Sequence, residues 1–544
     1  MGVVHDRDER GRDETLRGER PVVDTDVIIV GAGPTGLMLA GELRLAGVRP
    51  LVLERQPQPR DTPKASGLGG RILHLLRYRG MLDRFEAASS NPNVAPRFPF
   101  GNMYLDFTHL ADPPMRALPL PQLEIERLLD ERARELGADI RRAHEVVGVS
   151  QDDATVTADV RGPDGPYQVT ARYLVGCDGG HSRIRDMAGI AFPGTTYPEV
   201  NRLAQVTVHD SVTVLDNGDI DVPGLGTIHA GFTRTDRGVF AFAVSSGVLS
   251  LQTTEDESTE YYDDEPLTLT ELGDSARRVL GADLPLGEPT RLTRYTFKDR
   301  QAERYRAGRI LLAGDAAHLF PATGTALNVG MLDTVNLAWK LGADIHGWAP
   351  AGLLDTYHDE RHFAGARARL QTRAQVALRR GQDPAAEALR QVFQELVADE
   401  PALRRMGALV GHTDIRYPMP GSGQHALAGT FAPELTLHTD QGITSAAELM
   451  RTARPVLLDL ADRQDLREIA RDWQHRIDIR TAKTDNRPAD AMLIRPDAHI
   501  AWAATIDEPT DTAAIGLREA LSGWFGAPVE TTVPITARTH ASHR

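Results

Sequence analysis

The stretch Asp26–Gly36, DVIIVGAGPTG, decides the fold. Val27–Val30 is a run of aliphatic and β-branched residues, the pattern of a buried strand. Gly31, Gly33 and Gly36 follow in G-x-G-x-x-G spacing, and an apolar helical pattern runs from Leu37 to Leu45. Strand, glycine turn and helix are the context a dinucleotide needs. Gly31 permits the tight turn, Gly33 lets a pyrophosphate approach the backbone, and Gly36 lets the helix pack on the strand. The helix N-terminus then favours the phosphate charge. A second strand pattern, Val48–Leu53, ends at Glu54, which is 54 − 36 = 18 residues past the last glycine. An acid at about that distance takes a ribose hydroxyl. A glycine turn with no ligand would leave Glu54 unexplained.

The 544 residues suffice for two to four domains, and a 41% hydrophobic content is that of a globular chain. Net charge is −15 with no offsetting basic stripe, which argues against a nucleic-acid partner. No stretch stays apolar for about 18 residues, so no membrane-spanning helix is expected. The single cysteine, Cys177, excludes an internal disulfide and a cysteine-rich metal site. No metal is expected, and a reducing cytoplasm fits. Met1–Arg20 is mostly charged and lacks the apolar core of a signal peptide, so residues 1–22 are expected to be a mobile tail.

In chain order, Arg71–Phe85 reads as one helical stretch, and Pro92–Pro121 as an irregular proline-rich crossing. Gln122–Leu136 reads as an amphipathic helix. Ala171–Arg185, ARYLVGCDGGHSRIR, combines a short strand, a glycine turn at Asp178 and a helix start; alone it is as readily an ordinary turn with Asp178 as a cap. Asn201–Arg300 alternates like an antiparallel sheet and suits a substrate floor; Glu255–Glu265 within it reads as solvated. Gly308–Leu341 holds a buried strand, Gly314-Asp315, a Pro/Gly loop over Phe320–Gly324, and a helix from Leu327. His318 reads as a histidine packed under that loop rather than as a catalytic base. Leu353–Leu409 is helical, and a Pro/Gly-rich linker separates it from a small α/β region.

The set GAGPTG, CDGGHSRIR and GRILLAGDAAH, closed by AWKL, resembles the FAD-dependent aromatic hydroxylases related to p-hydroxybenzoate hydroxylase. The remainder, including YHDERHFAGARA and LIRPDAHIAWAA, looks like the longer members that tailor angucycline and anthracycline polyketides. The resemblance implies an α/β fold. A Rossmann-like FAD domain would cover residues 23–190 and 301–410, with helices over 353–410. It would carry an inserted antiparallel substrate domain (191–300), a linker (411–429) and a thioredoxin-like domain (430–544). That last domain has no cysteine, so it can do no thiol chemistry.

By position, the resemblance assigns Gly31, Gly33 and Gly36 to the FAD pyrophosphate, Glu54 to the adenosine ribose and Arg55 to the adenine end. Gln122 would reach toward the flavin. Asp178 would back the FAD, and Asp315 would hold its ribityl-phosphate end. Pro321 would lie near the reactive edge of the ring, with Gly324 beside it and backbone N–H groups near Leu327 and Asn328 facing N1 and C2=O. The implied activity is hydroxylation of an aromatic polyketide or related phenolic through an oxygen adduct at flavin C4a, with O2 and NADPH or NADH as co-substrates. No side-chain nucleophile is assigned. Baeyer–Villiger insertion, epoxidation and a non-oxygenating rearrangement or dehydration are the alternatives, and a homodimer is left open. Two motifs depart from the family: Lys64-Ala65-Ser66-Gly67 replaces R-A-x-G, and Thr323-Gly324-Thr325-Ala326-Leu327-Asn328 replaces G-G-Q-G-(L/M)-N. The second adds Cβ atoms beside the ring, so the loop is expected to move back or to take an ordinary backbone conformation.

Overall fold

The computed structural model describes residues 22–59, 65–92, 96–245, 247–257, 266–321, 324–380, 383–419 and 425–528. Most of the expected tail, Lys64, Thr323, residues 258–265 and residues 420–424 lie outside the described residues.

Val27–Val30 is central in a parallel sheet. It pairs with Pro50–Glu54 on one side and Tyr173–Gly176 on the other. Asp139–Arg142 and Ile310–Leu312 extend the sheet, and Arg306–Ala307 closes one edge antiparallel. All four residues of Val27–Val30 are buried, as a strand covered on both faces requires. Helix α1 (Pro34–Leu45) starts with a proline whose missing N–H costs nothing at that position. Residues 71–88 form two helices, α2 (Arg71–Tyr78) and α3 (Leu82–Ala88), not one. Gly80, with φ +65°, breaks the run. The segment expected to be irregular contains short strands at Arg97–Phe100, Met103–Asp106 and Ala117–Pro119. Helix α4 (Gln122–Glu135) packs on α1, and the short α5 (Arg183–Met187) follows the strand at Tyr173–Gly176.

The inserted sheet runs in the order 231–235, 238–245, 248–256, 194–207, 289–301 and 318–319. One face carries Ala204, Val206, Phe240 and Leu251, which pack against Leu272, Ala276 and Val279 of α6 (Leu269–Leu280). The alternate residues fall on the opposite face; in register these are Asn201 with Tyr295 and Leu203 with Thr293. Glu255 is not solvated. It is buried in strand 248–256, where Arg278 and Ser275 hydrogen-bond to it. The partners come from a helix behind the sheet, which an acidic run in sequence does not reveal.

Helix α7 (Ala326–His346) crosses α1, and α8 (Thr356–Arg380), α9 (Pro384–Ala398) and α10 (Glu400–Val410) follow. The C-terminal region has a four-stranded sheet, in the order 478–481, 456–459, 491–494 and 500–504, with the helix Thr510–Phe525 against it. It docks on α7 and α8 through apolar and ionic contacts. Trp339 meets Trp524 and Phe525. Arg495 donates to both oxygens of Glu360 (2.5 and 2.8 Å) and to Asp497, while Lys340 Nζ donates to Glu360 at 2.8 Å. Asn336 Nδ2 bridges Glu360 and Asp497. On another side, Arg79 pairs with Glu42 of α1 and donates to the carbonyls of Met450 and Pro496. The described parts of 411–429 are tied down: Tyr417 N–H donates to Gly429 O, and Gly429 N–H to Ile500 O. Among the described residues no helix is long and apolar enough to cross a membrane.

Candidate functional site

Four segments meet at the carboxyl ends of adjacent parallel strands: the Gly31 turn, Glu54, Cys177-Asp178 and Ala313–Asp315. Backbone hydrogen bonds stitch them together, Cys177 N–H to Val30 O (2.8 Å) and Ala313 N–H to Gly176 O (3.0 Å). Gly31 has φ +108°, and a Cβ there would stand 2.5 Å from Cys177 O, so a side chain is excluded twice over. At Gly33 the opposite holds. Nothing lies within 4 Å of where its Cβ would be, and α1 has no side-chain cap. Open space therefore faces the first N–H groups of α1, which lack intrahelical partners. Room for a ligand, free donors and a positive helix end fit the pyrophosphate of a dinucleotide.

Glu54 is fixed against this turn. Its Oε2 accepts from Ala32 N–H and its Oε1 from Gln56 N–H, both at 2.8 Å. Arg55, next in the chain, is exposed. Gln122 opens α4; its Oε1 accepts from Ala65 N–H (3.0 Å) and its Nε2 donates to Glu126 (2.7 Å), so it braces the 65–70 segment. Asp178 accepts from the Ser182 hydroxyl (2.5 Å) and from Ile184 N–H (3.2 Å), bonds that secure the start of α5. Burial raises its pKa, with the Ser182 bond opposing. Asp315 lies partly buried in the turn Gly314–Ala316.

The second wall is the loop that joins the inserted sheet to α7. Pro321 is buried, and Gly324 (φ +82°) leaves 3.5 Å between a would-be Cβ and the Phe98 ring. Asn328 Nδ2 donates to Gly324 O (2.8 Å) and its Oδ1 accepts from Gly69 N–H (3.2 Å); Leu327 precedes it in the first turn of α7. Thr325 has φ −108° and Ala326 begins the helix, so these two take an ordinary backbone.

His318 is fully buried, its Nε2 2.7 Å from Asp333 Oδ2, and its ring stacks on Phe320. It is a packed histidine, as its sequence context suggests. Asp333 itself escaped the sequence reading. It accepts from Gly314 N–H (3.0 Å), fixing the turn before Asp315, and from Arg361 Nε (2.7 Å). Arg361 also donates to Tyr417 Oη and Val329 O. Burial pushes the Asp333 carboxyl up, but Arg361 and His318 outweigh it and the pKa is lowered. The available signal was an aspartate inside an apolar helix, which must have a partner. Among the described residues no group of three or more His, Cys, Asp or Glu could hold a metal.

Residues 24–372 match the FAD binding domain family, and residues 425–528 match the aromatic-ring hydroxylase C-terminal family. The 12-dehydrotetracycline 5-monooxygenase/anhydrotetracycline 6-monooxygenase of Streptomyces rimosus is 41% identical over 518 residues, covering 92% of this chain and 99% of that one. CabE, an aromatic hydroxylase from angucycline biosynthesis, superposes with a TM-score of 0.81 at 37% identity over 93% of this chain and all of that one. Dialkyldecalin synthase of Streptomyces rugosporus is 37% identical over 514 residues, covering 92% and 98%. With two family matches spanning the described core and relatives aligned over nearly their whole length, the chain belongs to the FAD-dependent aromatic-ring hydroxylases and is a flavin-dependent aromatic monooxygenase.

Proposed function

We propose that this chain hydroxylates a polycyclic aromatic polyketide or a related phenolic, with O2 and NADPH or NADH as co-substrates, in the cytoplasm. The observation that carries the reading is a continuity. Strand 318–319 is the sixth strand of the inserted sheet and is followed directly by Phe320 and Pro321, so substrate floor and the start of the cofactor loop are one piece. The substrate class rests on the tetracycline and angucycline enzymes this chain resembles.

In this reading residues 23–190 and 301–410 hold the cofactor, 191–300 hold the substrate, and 430–544 brace both across the 411–429 segment. Gly31, Gly33, Gly36 and the uncapped α1 bind the pyrophosphate. Glu54 uses the lone pairs left beside Ala32 and Gln56 for the ribose, and Arg55 covers the adenine end. Gln122 and Asp178 flank the flavin side, and Asp315 takes the ribityl end. Pro321 and Gly324 border the ring, and the N–H groups of Leu327 and Asn328 face its pyrimidine edge. FAD, once reduced, supplies the oxygen chemistry. The chain orients the ring system and excludes water, and no side-chain nucleophile is required. A positive helix end at α7 favours the negative charge of a reduced flavin.

Aerobic turnover of anhydrotetracycline-type and angucycline-type aromatics under labelled dioxygen, with NADPH or NADH, tests this. One labelled oxygen should enter the product. Unlabelled product would favour a non-oxygenating rearrangement, for which one relative bears a synthase name.

A further inference from the structure

The loop entering α7 lacks two of the family's glycines, replaced by Thr323 and Ala326, yet the residues at its α7 end are held from two sides. Asn328 ties it to Gly69, as described above. The other tie comes from α8. Thr325 sits at the N-cap of α7 and is almost fully buried, but its side chain does not cap the helix. A threonine there ordinarily has an extended backbone and accepts from the second or third N–H of its own helix, whereas Thr325 lies in the right-handed helical region, with φ −108° and ψ −48°. Instead Thr325 Oγ1 accepts from Gln371 Nε2 at 3.2 Å. Gln371 is in turn held by Gln375 Nε2, which donates to Gln371 Oε1 at 2.7 Å. Gln371 and Gln375 lie one turn apart on α8, and both are buried. Gln375 abuts the hairpin at Gly101, where a Cβ would stand 2.9 Å from its carbonyl oxygen, so the ladder has a fixed base.

We propose that Gln371, braced by Gln375, is a positioning residue for the flavin: its bond to the Thr325 hydroxyl holds that residue in the helical rather than the extended conformation, so the hydroxyl does not turn back to cap α7 and the first N–H groups of that helix are left for the cofactor. The proposal rests on the assignment of the 320–328 loop to the flavin. It gives the substituted loop a physical rationale. A threonine where the family has glutamine would, once extended, compete with the flavin for the same donors, and the amide of α8 holds it out of that conformation.

The test uses full-length apo protein titrated with FAD, and the reduction potential of the bound flavin. Gln371→Leu frees Thr325 to cap α7. FAD binding should weaken roughly three- to tenfold, the effect of one lost buried hydrogen bond, and the potential should move negative. Adding Thr325→Val to Gln371→Leu removes the competing hydroxyl and should return the potential toward that of the wild type. A ladder that merely supports the loop predicts a double variant no better than the single one, and that result, or a Gln371→Leu protein equal to wild type in both readouts, overturns the proposal. Thr325→Val alone supplies the same comparison if Gln371→Leu does not fold: binding and potential near wild type support the proposal, and a loss as large as that expected for Gln371→Leu overturns it. The FAD site on which the loop assignment depends fails separately. Gly33→Asp, which places a carboxylate in the open space before α1, should abolish FAD uptake, and unchanged uptake would remove the reading on which the proposal stands.

Discussion

Helices α7 and α8 make two seams of opposite character. Toward the C-terminal region, Lys340, Glu360, Arg495 and Asp497 are at most 3% exposed, and each meets an opposite charge at 2.5–2.8 Å. Toward the inserted sheet, Asp299 pairs with Arg369 and Arg373, and Glu199 with Arg379 and Arg380, but Arg373 is 52% and Arg380 36% exposed. The second seam also holds Thr293 Oγ1, Tyr295 Oη and Arg379 Nε buried without a hydrogen-bond partner among the described residues. A buried, fully paired network is costly to open from either side. A half-solvated one with unused donors can adjust, and its polar atoms await a ligand or water. The first seam is architecture, and the second borders the sheet that we propose as the substrate floor.

The contrast is easiest to break by removing a charge on each side. Arg495→Leu leaves Glu360 and Asp497 buried without their guanidinium and should cost roughly 3–5 kcal/mol. Arg373→Leu leaves Asp299 with Arg369 and should cost less than about 1 kcal/mol. Denaturant unfolding measures both, and equal costs would erase the distinction. Truncation after Gly429 strips the same partners and should give no soluble, cooperatively folded protein, so the C-terminal region is more than an appendage.

Acid should destabilise the protein in two stages. Burial lowers His412 to about 3 and His74 to about 4 from an ordinary 6.5. Their contribution is whole above pH 6.5 and is lost as pH falls toward those values. Burial opposes ionisation of Glu360, but Arg495 and Lys340 prevail and lower it to about 2 from 4.5. Its contribution is present above pH 4.5 and is lost only below that. His412→Gln should therefore lessen, by the share His74 does not carry, the slope of the stability curve between pH 6.5 and 4.5 while leaving the fall due to Glu360 below pH 4.5, as read by unfolding at stepped pH.

Asp315→Ala should lower FAD affinity about tenfold, as expected for a lost bond to a charged group; an unchanged titration would remove Asp315 from the site. The smallest effect belongs to the second seam. Tyr295→Phe and Thr293→Val delete hydroxyls that have no hydrogen-bond partner among the described residues, so thermal stability should stay within about 0.5 kcal/mol of wild type or rise. Aromatic substrate should nonetheless bind several-fold more weakly, by fluorescence titration. A loss of stability instead would mean that these hydroxyls serve the fold.

Local chemistry was legible in the sequence and distant chemistry was not. Gly31, Gly33, Gly36 and Glu54 sit within one strand–helix–strand unit, so their spacing alone carried the parallel sheet. Gly80 was visible as a breaker, but the apolar period on both sides masked it. Pro99 and Pro119 suggested irregularity because proline cannot donate to a ladder, yet each occupies a two-stranded pair where that donor is not needed. Asp178 could be read either way, and the cap bonds are what its geometry displays. Glu255, Asp333 and Glu360 depend on arginines brought in by other elements, and no local pattern announces them. Gln371 and Thr325 are 46 residues apart and met only once α8 folded back along α7.

The reach of the Glu360–Arg495 pair has a consequence for how the chain is made. The two residues are 135 positions apart. At about 5–20 residues per second, a ribosome needs roughly 7–27 s to travel from one to the other. The same interval separates their emergence from the exit tunnel, and during it Lys340 and Glu360 hold only each other and Asn336, with Trp339 uncovered. The nascent nucleotide-binding half therefore waits, incomplete and sticky, for strands translated last. Synthesis speed and chaperone occupancy over that window should govern the yield of this protein more than the intrinsic folding rate of either half.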